Sequence, residues 1–251
     1  MADQKYPAYK LLISVLTVPA LDQPVGGVES DLLLAGTMLM YYTCCVSPLN
    51  AKEFVKAGAV NKLYDIVSYA IEGLKRSVAQ KLCQELLVCG LKAFTAVSQF
   101  DTGRDSILEL CPKFACDLHD VLLLDKSVPL AVENCIETIS RCCAHDGLQQ
   151  IFACSGVIWR FIPMLMAYDG TLKQEEYAEE SQRTTYNQSA SNMHAILATK
   201  ALGRLGGYMF DELATAVNKT AKQALAALLT QPLAKLLRNR RPWDLLKVQT
   251  T

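Results

Sequence analysis

Cys111, Cys116 and His119 form the pattern Cys-x4-Cys-x2-His, the spacing in this chain that comes nearest to a set of metal ligands. Thiolate sulfur and imidazole nitrogen are ordinary zinc donors, and a closed zinc site takes two closely spaced pairs of them. The second pair would have to come from distant Cys142, Cys143 or His145. Cys116 and His119 stand three apart and so share a helix face, which is also how two core residues are arranged. Structural cysteines, with no bound metal, are the expectation. Cys143 with His145 offers the residue types of a nucleophile and its base. Residues two apart on a helix point in different directions, however. The chain holds no Gly-x-Ser-x-Gly elbow, phosphate loop, dinucleotide fingerprint or His-Glu-x-x-His. Its carboxylates are scattered, with no spacing that nominates a general acid and base. The expectation is a protein that is not an enzyme and takes no cofactor.

The remaining composition sets the environment. Ten cysteines occur in 251 residues, including the vicinal pairs Cys44-Cys45 and Cys142-Cys143 and no Cys-x-x-Cys. Most sit among Leu, Val, Ala and Phe, where a thiol behaves as a small hydrophobe. That usage suits a reducing compartment better than a disulfide framework. Lys10 followed by LLISVLTVPA imitates a signal-peptide core, and Asn187 and Asn218 head glycosylation-type triplets. The plainer reading of the start is a first core helix ended near Pro19. Basic and acidic residues number 25 each, so nothing overall attracts nucleic acid or an anionic membrane. No apolar run reaches the roughly 18 residues of a transmembrane helix.

The elements that would position these side chains read as helices throughout. Leu82, Leu86, Cys89, Ala93 and Val97 step by three or four, as do Val132, Cys135, Ile136, Ile139 and Cys143, and again Leu225, Leu228, Leu229, Leu233 and Leu236. Strand alternation is absent, and Pro112, Pro129, Pro232 and Pro242 mark helix starts or breaks. The fold class is all-α.

A motif recurs. In NAKEFVKAGAVNKL, Asn50 is placed to cap a short helix, Phe54 and Val55 face inward, and Gly58 reverses the backbone before Val60 and Leu63. In LQQIFACSGVIWRF, Ile151 and Phe152 take the inward role, Gly156 makes the break, and Val157, Ile158 and Phe161 follow. RDSILELCPKFACDL has the same rhythm around Pro112. Superimposing Gly58, Cys111 and Gly156 gives separations of 53 and 45 residues, close to the roughly 40–47 of armadillo and HEAT repeats. Such units cannot cover their own apolar faces and must stack. An armadillo/HEAT-like α-solenoid of stacked helices is expected, with a plain helical bundle as the alternative.

This divides the chain into a lead-in or first helix over 1–30, repeats over 31–167, a polar acidic loop over 168–192 and further repeats over 193–251. The loop carries Glu175, Glu176, Glu179 and Glu180. It reads as a surface connection or as an acidic peptide presented to a partner. Lys235, Arg238, Arg240, Arg241 and Lys247 concentrate near the other end. They suit a helix C-terminus through the macrodipole, or lipid phosphates or an acidic partner.

SPLNAKEFVKAGAV, GVIWRFIPMLMAYDGTL, ALGRLGGYMF and ALLTQPLAKLL with PWDLLKV resemble segments of the very large endosomal DnaJ-domain proteins of the receptor-mediated endocytosis type. The resemblance runs from about Leu32 to Val248 and is most specific between Val157 and Phe210. It implies armadillo-like helices lacking the J domain itself. His145-Asp146 has no intervening proline and no His-Pro-Asp occurs, so this chain is not expected to stimulate a heat-shock ATPase. The family's Ile-Trp-Asn repeat is also absent, and the chain reads as a fragment ending before it. The resemblance further implies a parent at early endosomes, cytoplasmic and peripheral to the membrane. Its partners would be the constitutive heat-shock chaperone, sorting-nexin coats, the WASH complex and the clathrin machinery. A free-standing cytosolic armadillo-like adaptor is the alternative.

Overall fold

The computed structural model describes residues 8–19, 27–124, 127–168 and 182–205. Among these there are eleven α-helices and one 3-10 turn, Leu122–Leu124, with no strand. The helices are α1 Ala8–Val15, α2 Gly27–Val46, α3 Pro48–Lys56, α4 Ala59–Lys75, α5 Gln80–Val97, α6 Asp101–Leu110, α7 Phe114–Val121, α8 Pro129–Cys142, α9 Asp146–Cys154, α10 Val157–Met166 and α11 Gln182–Leu205.

Their packing repeats every third helix. α2 lies on α5, α5 on α8 and α8 on α11, a row of the longer helices. α3 meets α6 and α6 meets α9, while α1 meets α4 and α4 meets α7. The triplets α3–α5, α6–α8 and α9–α11 are therefore successive repeats, and α1 with α2 takes the place of the last two helices of a unit before them. An all-α stack of armadillo-like repeats is what the apolar periodicity anticipates. The physical reason is burial: α5 and α8 are covered on both flanks, so residues from Cys83 to Val97 and from Ala131 to Cys142 enter one continuous core.

The breaks fall where the local chemistry places them. Gly58 and Gly156 hold φ of 78° and 81° and stand directly before α4 and α10. At the corresponding place in the middle repeat, Cys111 ends α6 and Pro112 separates it from α7. Each break lies between the first and second helix of its triplet. α1 ends at Val15, before Pro19, and joins the core through Tyr9, whose ring meets Phe54 edge-on at 5.9 Å.

Three details differ from the sequence reading. Ser47, not Asn50, caps α3, its side chain accepting the N–H of Leu49 at 3.2 Å. Pro48 fits the first turn because its missing N–H is unneeded there, which draws the helix start ahead of Asn50. Asn50 instead donates from Nδ2 to the Thr43 carbonyl at 3.1 Å. Ile151 is 43% exposed while Phe152 is fully buried. Neighbours on a helix are about 100° apart, so this short helix turns only one of the two inward. Finally, α11 begins at Gln182, ahead of Met193. Its start thus overlaps the last part of the segment expected to be a polar loop.

Candidate functional site

The residues proposed for chemistry do not assemble. Cys111 is buried and its thiol is pushed up to about 12, first by burial and then by Asp65 and Asp117. Cys116, on α7, is exposed. His119 turns Nε2 toward α10, where it accepts from Arg160 Nε at 3.0 Å. A guanidinium there occupies the lone pair that a metal would need. Among the described residues no three His, Cys, Asp or Glu side chains are grouped to hold a metal ion.

The Cys143–His145 pair is also divided. Burial pushes the Cys143 thiol up to about 12, which removes the thiolate a nucleophile requires. His145 caps α9, its Nδ1 accepting from the N–H groups of Gly147 at 3.1 Å and Leu148 at 3.4 Å. Its Nε2 lies 3.3 Å from Asp105 Oδ1. Both ring nitrogens are engaged in positioning α9 on α6.

An apolar cleft between α6, α7 and α9, lined by Leu108, Cys111, Phe114, Leu148 and Phe152, has a volume of about 30 Å³. That is room for a water molecule, well short of the roughly 300 Å³ of a small-molecule site.

What the side chains do assemble is a set of polar ties between neighbouring repeats, which no local sequence signal announces. Tyr64 on α4 donates to Asp117 on α7 at 2.8 Å, and Lys75 on α4 pairs with Asp120 at 2.7 Å. Arg160 then links α10 to His119. Along the row of long helices, the hydroxyls of Thr95 on α5 and Thr138 on α8 lie 2.8 Å apart. Arg204 on α11 donates to the Ser140 carbonyl at 3.1 Å, and His194 Nε2 lies 3.1 Å from the Pro129 carbonyl. Within the last of the three triplets, Gln149 on α9 donates to the carbonyls of Arg204 and Leu205 at 2.9 and 3.1 Å, satisfying the end of α11. Burial raises the pKa of the Tyr64 hydroxyl, with Asp117 adding to it. Asp117 itself is raised by burial, against the lowering pull of Tyr64 and Lys75.

The outer surface combines charge with exposed apolar side chains. Lys81 and Glu85 on α5 are exposed. Val28, Leu32, Leu39 and Tyr42 stand out on α2, and Trp159 and Met166 on α10. No single helix among the described residues is long and apolar enough to cross a membrane. The acidic residues Glu175, Glu176, Glu179 and Glu180 and the basic residues Lys235, Arg238, Arg240, Arg241 and Lys247 lie outside the described residues.

No protein-family model matches the chain, and no solved structure matches it. Among curated proteins it is similar to DnaJ homolog subfamily C GRV2 of Arabidopsis thaliana, 32% identical over 249 residues. The match takes in 98% of this chain and 10% of the plant protein, so the chain spans about a tenth of that relative's length. With the helical repeats now described, this similarity relates the chain to one segment of a large DnaJ subfamily C protein.

Proposed function

We propose that the chain is a non-catalytic helical scaffold segment of an endosomal J-domain cochaperone, acting in receptor-mediated endocytosis and early-endosome sorting. The observation that carries this reading is the stack itself. Cys111 and Cys143 are spent on core packing and His119 and His145 on joining repeats, while Cys116 is exposed and the surface offers charged and apolar side chains. Stacked helical repeats present extended surfaces of the kind that engage other proteins. Similarity to a DnaJ-family protein supplies the cochaperone context. His145-Asp146 does not serve as the chaperone-stimulating motif, because His145 is a helix cap and no proline separates the two residues.

In this reading the chain works on the cytoplasmic side of early endosomes. Glu175, Glu176, Glu179 and Glu180 and the basic group Lys235, Arg238, Arg240, Arg241 and Lys247 contribute partner contacts. The partners are the constitutive heat-shock chaperone, sorting nexins, the WASH complex and the clathrin machinery of the parent protein.

The test uses purified components. The chain is titrated calorimetrically with a sorting nexin, a WASH subunit, clathrin and the constitutive heat-shock chaperone, and is also added to the chaperone's ATPase assay. Binding to at least one of them in roughly the micromolar range or tighter, with ATP hydrolysis unaccelerated, is the expected result. Binding to none, or accelerated hydrolysis, contradicts the proposal.

A further inference from the structure

The chain's three histidines, His119, His145 and His194, divide by the direction of their hydrogen bonds. On α7, His119 Nε2 accepts from Arg160 Nε of α10 at 3.0 Å. Ahead of α9, His145 Nδ1 accepts from the N–H groups of Gly147 at 3.1 Å and Leu148 at 3.4 Å. Neither a guanidinium nor a backbone N–H can act as an acceptor, so each of these rings must offer a bare nitrogen. That fixes opposite tautomers. The neutral His119 carries its proton on Nδ1, 3.7 Å from Asp120 Oδ1, and the neutral His145 carries its proton on Nε2, 3.3 Å from Asp105 Oδ1. His194 on α11 is the reverse case. Its partner at 3.1 Å is the Pro129 carbonyl, so its Nε2 must donate, and a further proton leaves that bond in place. The side chains of His119 and His145 keep 25% and 29% of their surface, so water reaches both rings in the folded chain.

We propose that α9 and α10 are held by an acid-sensitive joint, in which protonation of His119 loosens α10 from α7 and protonation of His145 uncaps α9. An imidazolium has two N–H donors and no acceptor. At His119 the added proton lands on Nε2 and sets donor against donor, two cations where a hydrogen bond stood. On its own helix, Asp120 is already paired with Lys75 of α4 and Asp117 with the Tyr64 hydroxyl, so the pull of Asp120 on the imidazolium is shared. From α8 comes the Cys135 thiol, donating to the Leu118 carbonyl. At His145, Asp105 of α6 holds the Nε2 proton in either form, and the new proton removes the cap. It also places a positive charge at the N-terminus of α9, where the macrodipole opposes it and Asp146 offsets part of the cost. The other elements packed on α9 bring Arg160, held by His119, Arg204, held at the Ser140 carbonyl, and the buried Cys143 thiol at the end of α8. The sign is the same at both rings. The neutral form makes the bond, so the joint is complete at high pH and is lost as pH falls. Phe152 and Phe161 stay buried in the core, so the two helices loosen without leaving the stack.

The experiment is hydrogen exchange followed by mass spectrometry on the full reduced chain, at about pH 8 and about pH 5, on either side of histidine's ordinary titration. Each rate is divided by its intrinsic value at that pH. Protection of α9 and α10 should fall by roughly fivefold or more at the lower pH, as the loss of one or two hydrogen bonds implies. His119→Gln with His145→Asn keeps an acceptor oxygen near each bonded nitrogen and takes no proton. In that double variant most of the fall should disappear, and each single variant should remove its own part. A native chain whose α9 and α10 are equally protected at both pH values overturns the proposal, as does a folded double variant that loses protection as the native chain does. The second measurement needs no variant. Nitrogen NMR of the native imidazoles at about pH 8 should find the proton on Nδ1 of His119 and on Nε2 of His145. The opposite tautomer at either ring overturns its part in the joint.

Discussion

At Gly58 and Gly156 the backbone is left-handed, and the space around each is open. A Cβ built on Gly58 meets nothing within 4 Å, and one on Gly156 meets only Trp159 Cδ1 at 3.9 Å. The cost of substitution there is therefore conformational rather than steric. Gly156→Val should lower stability by about 2 kcal/mol, and Gly156→Asn by clearly less, since Asn tolerates this region. Urea melts of the two variants measure the difference, and equal midpoints would contradict the assigned break. Gly103 is the opposite case, because a Cβ there falls 2.1 Å from the Val97 carbonyl oxygen. The buried thiols give a further expectation at this scale. Cys44, Cys111 and Cys143 are pushed by burial from an ordinary 9.0 to about 12, and Cys135 and Cys142 are raised as well. The folded chain keeps protons that the unfolded chain releases. Their contribution is complete below the ordinary thiol range and is lost as pH climbs toward the folded values. Each such thiol removes about 1.4 kcal/mol per pH unit above that range. Thermal melts under reducing conditions should therefore fall steeply above about pH 9. A midpoint unchanged between about pH 8 and 10.5 would show that these thiols are not buried as described.

Phe114, at the start of α7, shows how elements of different repeats are held together. Its ring lies 4.7 Å from Phe94 on α5, 6.3 Å from Tyr64 on α4 and 6.4 Å from Phe152 on α9. One side chain from the middle repeat thus touches both of its neighbours. Phe114→Ala should cost about 3–5 kcal/mol and lower the unfolding midpoint, as followed by dichroism. A loss under about 1 kcal/mol would mean that the repeats do not share this core. Much at this scale is legible in the sequence. Glycine and proline breaks mark the first-to-second helix junctions at Gly58, Pro112 and Gly156, since only such residues make those reversals cheaply. The buried stripe of α8 can likewise be read from spacing alone. Other features resist reading for physical reasons. Ser47-Pro48 outcompetes Asn50 as a helix start because the two signals stand three residues apart and only one can begin the helix. The ties from Tyr64 to Asp117 and from Arg160 to His119 join residues 53 and 41 positions apart. Spacing within one helix carries no information about such partners. Arg160→Ala should loosen α10 from α7 by about 1 kcal/mol without loss of helix, measurable as faster amide exchange in α10. Unchanged exchange would show that this tie is incidental.

For the molecule as a whole, the governing feature is that each repeat contacts only its neighbours, so stability depends on position in the stack. α5 and α8 have a helix of the same row on either side, whereas α2 has only α5 beside it in the described residues. The same geometry gives the scaffold reading its meaning, because a row of helices offers surface along its length instead of one closed pocket. It also makes the account open to a direct test, which is native-state hydrogen exchange followed by mass spectrometry on the reduced chain. Stacked three-helix repeats predict the slowest exchange in the amides of α5 and α8, with opening free energies near that of global unfolding. α1 and α2 should open first as a unit. Protection spread evenly over the eleven helices of the described residues, or slowest in α1 and α2, would contradict a stack of repeats and return the chain to a plain helical bundle.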